Sequence, residues 1–124
     1  AGRNLACLAR SHDLILFESF LPDMVGHRRL PHSPHWLVYA LDRFFEGLIT
    51  ALGPADTLVV SSDHGNFEDG RAQVHTENPV PLLVVGPAAP AFAGAERITD
   101  IAPRILEILD GDAQKRDEHA GDVI

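Results

Sequence analysis

The chain of 124 residues carries 10 Lys and Arg against 18 Asp and Glu, a formal net charge of −8, with 45% apolar residues. Such a balance repels a phosphate backbone and excludes nucleic acid as a partner, and no apolar run nears the ~20 residues of a membrane-crossing helix. The size fits one domain, 1–124, with a modest core, and the lone cysteine, Cys7, excludes an internal disulfide and so points to the cytoplasm.

Cys7 reads as a small buried hydrophobe in a soluble protein. The opening "AGRNLACLAR" lacks the apolar stretch of a secretory signal. The expectation is a removed leader or a piece of a longer chain. Leu5, Leu8 and Ala9 share one helical face, which predicts a short helix. "LILF", residues 14–17, is a continuous apolar run and predicts a strand buried on both faces, left at Pro22.

Apolar residues recur at helical spacing from Leu37 through Leu41, Phe44, Phe45 and Leu48 to Leu52, with Trp36, Phe44 and Phe45 expected in the core and Gly53-Pro54 as the stop. "TLVVS" from Thr57 and "PLLVVG" from Pro81 predict two more buried strands. "TDIAPRILEILDG" predicts a helix with Thr99 as N-cap, Asp100 and Pro103 in its first turn, and Gly111 just past its end. Residues 112–124 are expected to fray, with His119 solvated. Helix, strand, helix, strand, strand, helix predicts a layered α/β/α domain with a mainly parallel sheet.

Two of the expected strands run into side chains that bind cations. The first leads to Asp23 and His27, the second to Asp63 and His64, and His75 precedes the third. Sites in open parallel sheets form outside the carboxyl ends of the strands. Asp23 and His27 stand one helical turn apart and can face one ion, while Gly65 permits a sharp turn that brings Asp63 and His64 together. Asp and His suit Zn²⁺ or Mn²⁺. The competing reading is of satisfied loop histidines and an Asx turn.

Other residues carry paired readings. Arg28 and Arg29 either clamp a phosphate or face solvent. His32 and His35 either shuttle protons or sit as surface imidazoles. Glu68 and Asp69 either accept a hydrogen bond from a ligand histidine or face water.

The blocks "PDMVGH" (22–27), "SDHGNFE" (62–68) and "HTENPVP" (75–81) resemble, in this order, three blocks of the alkaline phosphatase superfamily. The likeness is nearest to cofactor-independent phosphoglycerate mutases and related metalloenzymes, including phosphopentomutases, and covers the C-terminal part of their catalytic domain. The resemblance implies an alkaline-phosphatase-like fold, here incomplete, with two divalent ions, Zn²⁺ or Mn²⁺. Asp23, His27 and His75 would hold one ion, and Asp63 and His64 part of the shell of the other.

It further implies metal-dependent phosphoryl transfer on a phosphorylated small molecule, by a phosphomutase or phosphatase. The family's Ser or Thr nucleophile and its neighbouring Asp have no match here. Ser61, Ser62 and Thr76 sit beside ligands and are poor substitutes, so no catalytic nucleophile is assigned and the chain alone is expected to be inactive. By ligand count, about one ion should bind tightly to this chain. The alternative is a metal-binding module without chemistry that docks to a partner chain. An unpaired sheet edge would also favour a homo-oligomer.

Overall fold

The computed structural model describes residues 1–70 and 74–121, with side chains through Gln114. Among the described residues, four α-helices, α1 (Gly2–Leu8), α2 (Leu21–Gly26), α3 (Pro34–Ile49) and α4 (Ile101–Gly121), accompany two strands, β1 (Leu58–Ser61) and β2 (Leu82–Val85). No helix of the described residues is long and apolar enough to cross a membrane.

α3 begins where Ser33 accepts a hydrogen bond from the Trp36 N–H at 3.2 Å and Pro34 occupies the first turn, where a missing N–H is harmless. It ends before the expected Gly53. Thr50 turns its hydroxyl back onto the Glu46 carbonyl at 2.7 Å, and the Ala51 N–H tightens the last turn onto Leu48. Leu37 and Leu48 are buried along α3, and α1 packs on this helix through its buried Gly2 and Ala6. Cys7 is exposed, contrary to expectation, because the narrow contact buries only Gly2 and Ala6 of α1. Trp36 is also no core residue. It is 40% exposed and stacks on His32, with ring centroids 4.0 Å apart. Phe44 and Phe45 are half-buried, and Phe44 stacks on Phe17.

The mixed helix and strand content matches the sequence reading, but a mainly parallel sheet is not what the described residues form. β1 and β2 pair antiparallel, from Leu58 opposite Val85 to Ser61 opposite Leu82. A parallel pair needs a crossover, usually helical, and the described part of the 62–81 connection carries no helix. "LILF" forms no strand either. With no neighbouring strand to take its backbone hydrogen bonds, the segment stays irregular and Leu16 is 91% exposed.

α4 is entered through a 3₁₀ turn at Ile98–Asp100 rather than from a Thr99 cap. The Asp100 carboxylate accepts the N–H groups of Glu96 and Arg97, which holds its carboxyl below the ordinary value of 3.8. Arg104 donates to the carbonyls of Ala91 and Ala93, fastening α4 to the turn that buries Phe92. The helix passes the expected stop at Gly111. Its described backbone is helical to Gly121, and the His119 side chain lies outside those described.

Among the described residues the buried apolar set is small: Ala6, Val25, Leu37, Leu48 and Phe92. The elements instead surround an open hollow of about 2300 Å³, bounded by α1, the 13–20 segment, α3, both strands and α4.

Candidate metal centre

α2 positions the first two site residues. Pro22 opens this helix rather than ending a strand, Asp23 lies in its first turn, and His27 caps its end, donating its N–H to the Asp23 carbonyl at 2.9 Å. Both side chains therefore project from one face, with His27 Nε2 3.1 Å from Asp23 Oδ1. The chain leaves the helix at Arg28, whose φ of 55 is left-handed, while Arg29 N–H returns to the Met24 carbonyl at 2.8 Å. Arg28 donates its guanidinium to the Gly70 carbonyl at 2.9 Å, so it ties α2 to the facing loop. Arg29 is exposed.

The other donors arrive from the loop between the strands. His64 Nε2 lies 3.9 Å and His75 Nε2 3.5 Å from the same Asp23 Oδ1. Their rings stack with centroids 3.5 Å apart and 14° between planes, and the His27 ring lies 5.3 Å from that of His75. One ligand atom each from Asp23, His64 and His75 falls within 4.8 Å of the others, the spread of a shared cation site. Asp63 stands at the edge: its Oδ2 is 3.6 Å from His64 Nε2 while its side chain is 81% exposed. All five residues singled out in the sequence thus gather in one region, with three imidazoles around one carboxylate oxygen of Asp23.

That oxygen, Asp23 Oδ1, is buried and forms no hydrogen bond among the described residues. A buried carboxylate oxygen left so is costly unless a cation or proton meets it. Oxygen and imidazole donors converging on one point suit a divalent ion of the Zn²⁺ or Mn²⁺ kind.

Asn66 escapes a sequence reading. It is 4% exposed, and its Nδ2 sits 3.0 Å from His27 Nε2. The Asn66 side-chain amide therefore abuts the same ring nitrogen that faces Asp23. Gly26 makes room for this contact, since a Cβ on it would strike the Asn66 amide. The one signal was Asn66's place directly after the Asp-His-Gly turn. Gly65 is needed for space rather than for a left-handed turn: it is buried, bridges to Thr76, and a Cβ on it would meet the Thr76 hydroxyl and the Glu68 carboxylate.

Of the two readings of Glu68, the exposed one holds: the side chain is solvent-accessible, and its hydrogen-bond partners among the described residues include no ligand histidine. Its carboxylate accepts the Thr76 hydroxyl, the Asn78 amide at 2.9 Å and the Asn66 N–H at 2.7 Å. Chiefly the Thr76 and Asn78 bonds hold its carboxyl down at about 2, against the ordinary 4.5. The serines bond backbone, Ser61 to the Ser62 carbonyl at 3.4 Å and Ser62 to the His64 carbonyl at 2.9 Å.

A family model described as the Metalloenzyme superfamily matches residues 4–113. The chain is similar to proteins named 2,3-bisphosphoglycerate-independent phosphoglycerate mutase. One from Cereibacter sphaeroides is 34% identical over 110 residues, which are 82% of this chain and 22% of that protein. Another, from Rhodopseudomonas palustris, is 34% identical over 107 residues, 80% and 21% of the two chains. A third, from Acetivibrio thermocellus, is 32% identical over 114 residues, 85% and 22%. The chain thus spans about a fifth of the length of these relatives. No solved structure matches it.

Proposed function

Because the chain belongs to the metalloenzyme superfamily, we propose that it contributes the divalent-metal centre of a phosphoryl-transfer enzyme, a phosphomutase or phosphatase acting on a phosphorylated small molecule. The observation that carries this reading is the orphaned Asp23 Oδ1 with three imidazole Nε2 atoms 3.1 to 3.9 Å away. In the complete enzyme Asp23, His27 and His75 would hold one ion, Zn²⁺ or Mn²⁺, and Asp63 with His64 part of the shell of a second; the chemistry supplied by such a pair would be Lewis-acid polarisation of a phosphoryl oxygen and activation of an attacking hydroxyl.

In this reading the chain's residues divide the work. Asp23 would supply the shared anionic oxygen and the histidines neutral nitrogen donors, with the Asn66 amide packed beside the His27 ring. The attacking hydroxyl comes from elsewhere in the enzyme. Ser61 and Ser62 give their hydroxyl hydrogens to backbone carbonyls and Thr76 gives its own to Glu68, so none is poised for attack. The match to about a fifth of the mutase relatives supports such a division. The proposed compartment is the cytoplasm, since one cysteine asks for no oxidising environment.

A second reading, a metal-binding module without chemistry that docks on a partner chain, is favoured by one observation, the open apolar hollow. Turnover of an aryl phosphate with Mn²⁺ or Zn²⁺ separates the two. The 124-residue chain should be inert, and the same residues joined to a segment bearing a Ser or Thr nucleophile should turn over, with His64→Ala abolishing it. Metal retention without turnover in the joined protein would favour the docking module. Metal-dependent turnover by the chain alone would overturn the missing nucleophile.

A further inference from the structure

Asp23 and His27 are fixed relative to each other by one helix, but His64 and His75 hang from two arms of a connection that the strands do not hold. The ladder between β1 and β2 ends at Ser61 opposite Leu82. Beyond it, among the described residues, the arms meet in a single bridge, Gly65 with Thr76, where the Thr76 N–H donates to the Gly65 carbonyl at 2.8 Å. One hydrogen bond of this kind contributes only about 1 kcal/mol net. It cannot by itself set two imidazoles face to face.

Glu68 sits where the arms cross. Its Oε1 takes the Thr76 hydroxyl and the Asn78 amide, on either side of Glu77 in the arm that carries His75, while Oε2 takes the Asn66 N–H two residues past His64. One carboxylate therefore grips both arms through three donors, and bonds to an ionised acceptor are roughly twice as strong as neutral ones. The result is visible in the stacked His64 and His75 rings, both with Nε2 toward Asp23 Oδ1. We propose that Glu68 is a positioning residue of the centre, the buckle that closes the 62–78 loop and holds His75 against His64. Its purpose as a metal site rests on the reading above; its geometric role does not.

The chemistry of the carboxylate makes the proposal specific. Glu68→Gln keeps one acceptor oxygen for Thr76 and Asn78 but turns an NH₂ toward the Asn66 N–H, so it holds one arm and releases the other. Glu68→Ala releases both. Thr76→Val deletes only the donor beside His75.

The test begins with metal-free protein, by proton NMR contacts between the His64 and His75 rings. The parent should show the contact, Glu68→Ala should lose it with helical circular dichroism unchanged, and Glu68→Gln should fall between. Should Glu68→Ala lose its helical signal, Thr76→Val combined with Asn78→Ala, which strips both bonds to the His75 arm, decides in its place: a lost ring contact supports the role and an unchanged one overturns it. Mn²⁺ and Zn²⁺ titrations of the same proteins then read the consequence, an affinity lower by about 10- to 100-fold in Glu68→Ala, as for other residues that orient ligands. A ring contact that survives Glu68→Ala, or an affinity within twofold of the parent once the contact is gone, overturns the proposal. A ring contact that depends on Glu68 in a parent taking up neither ion upholds the positioning role and sinks the metal reading instead.

Discussion

Glu68 is solvent-facing, yet its carboxyl is held at about 2 by the Thr76 hydroxyl first and the Asn78 amide second. A carboxylate whose folded value lies below its ordinary one stabilises the fold above the ordinary value, here 4.5, and loses that contribution as the pH falls toward 2. The Glu68 carboxyl carbon shift should therefore titrate with a midpoint near 2 in the parent and move up toward 4.5 in Thr76→Val with Asn78→Ala. A parent midpoint near 4.5 would mean that these bonds do not form in solution. The five candidate ligands were legible in the sequence because ligand chemistry is written in residue type and because Asp23 and His27 sit one helical turn apart. Asn66 and the true partners of Glu68 were not. A hydrogen bond between residues 66 and 27 depends on how α2 meets a loop, which no local pattern encodes.

At the scale of the element, α3 shows what periodicity predicts well. Its apolar stripe fixed a helix whose one fully buried large side chain is Leu37, at 0% exposure. Leu37→Ala should cost about 2–5 kcal/mol, the range for emptying a buried leucine site, with thermal or urea unfolding as the measure; a loss below about 1 kcal/mol would show that the site collapses or is wet. Thr50 closed this helix early by a side-chain bond that spacing alone does not reveal.

The strands were a harder case. β1 and β2 were readable as apolar β-branched runs, but their antiparallel pairing was not, because direction is set by the connection. "LILF" was read as a strand for the same compositional reason and is none here. A strand is a relation between two segments, and residues 14–17 have the composition without the neighbour.

The whole molecule has more apolar surface than it covers. Leu14, Leu16, Phe17 and Phe20 are exposed along the margin of the hollow, and exposed patches of this kind mark surfaces that another polypeptide covers. In the proposed enzyme the rest of the catalytic domain fills the hollow and offers residues 14–17 the strand partner they lack. In its absence the chain should associate with itself, and sedimentation should show a mass that rises with concentration. A monomer across the full range would mean that the hollow closes on its own.

The centre itself is tested most directly by elemental analysis of the chain after Mn²⁺ or Zn²⁺ loading and exhaustive dialysis. The gathering of His27, His64 and His75 about Asp23 Oδ1, with Asp63 largely in solvent, predicts close to one retained ion per chain and almost none in Asp23→Ala. Two tightly retained ions, or retention that Asp23→Ala leaves unchanged, would contradict it.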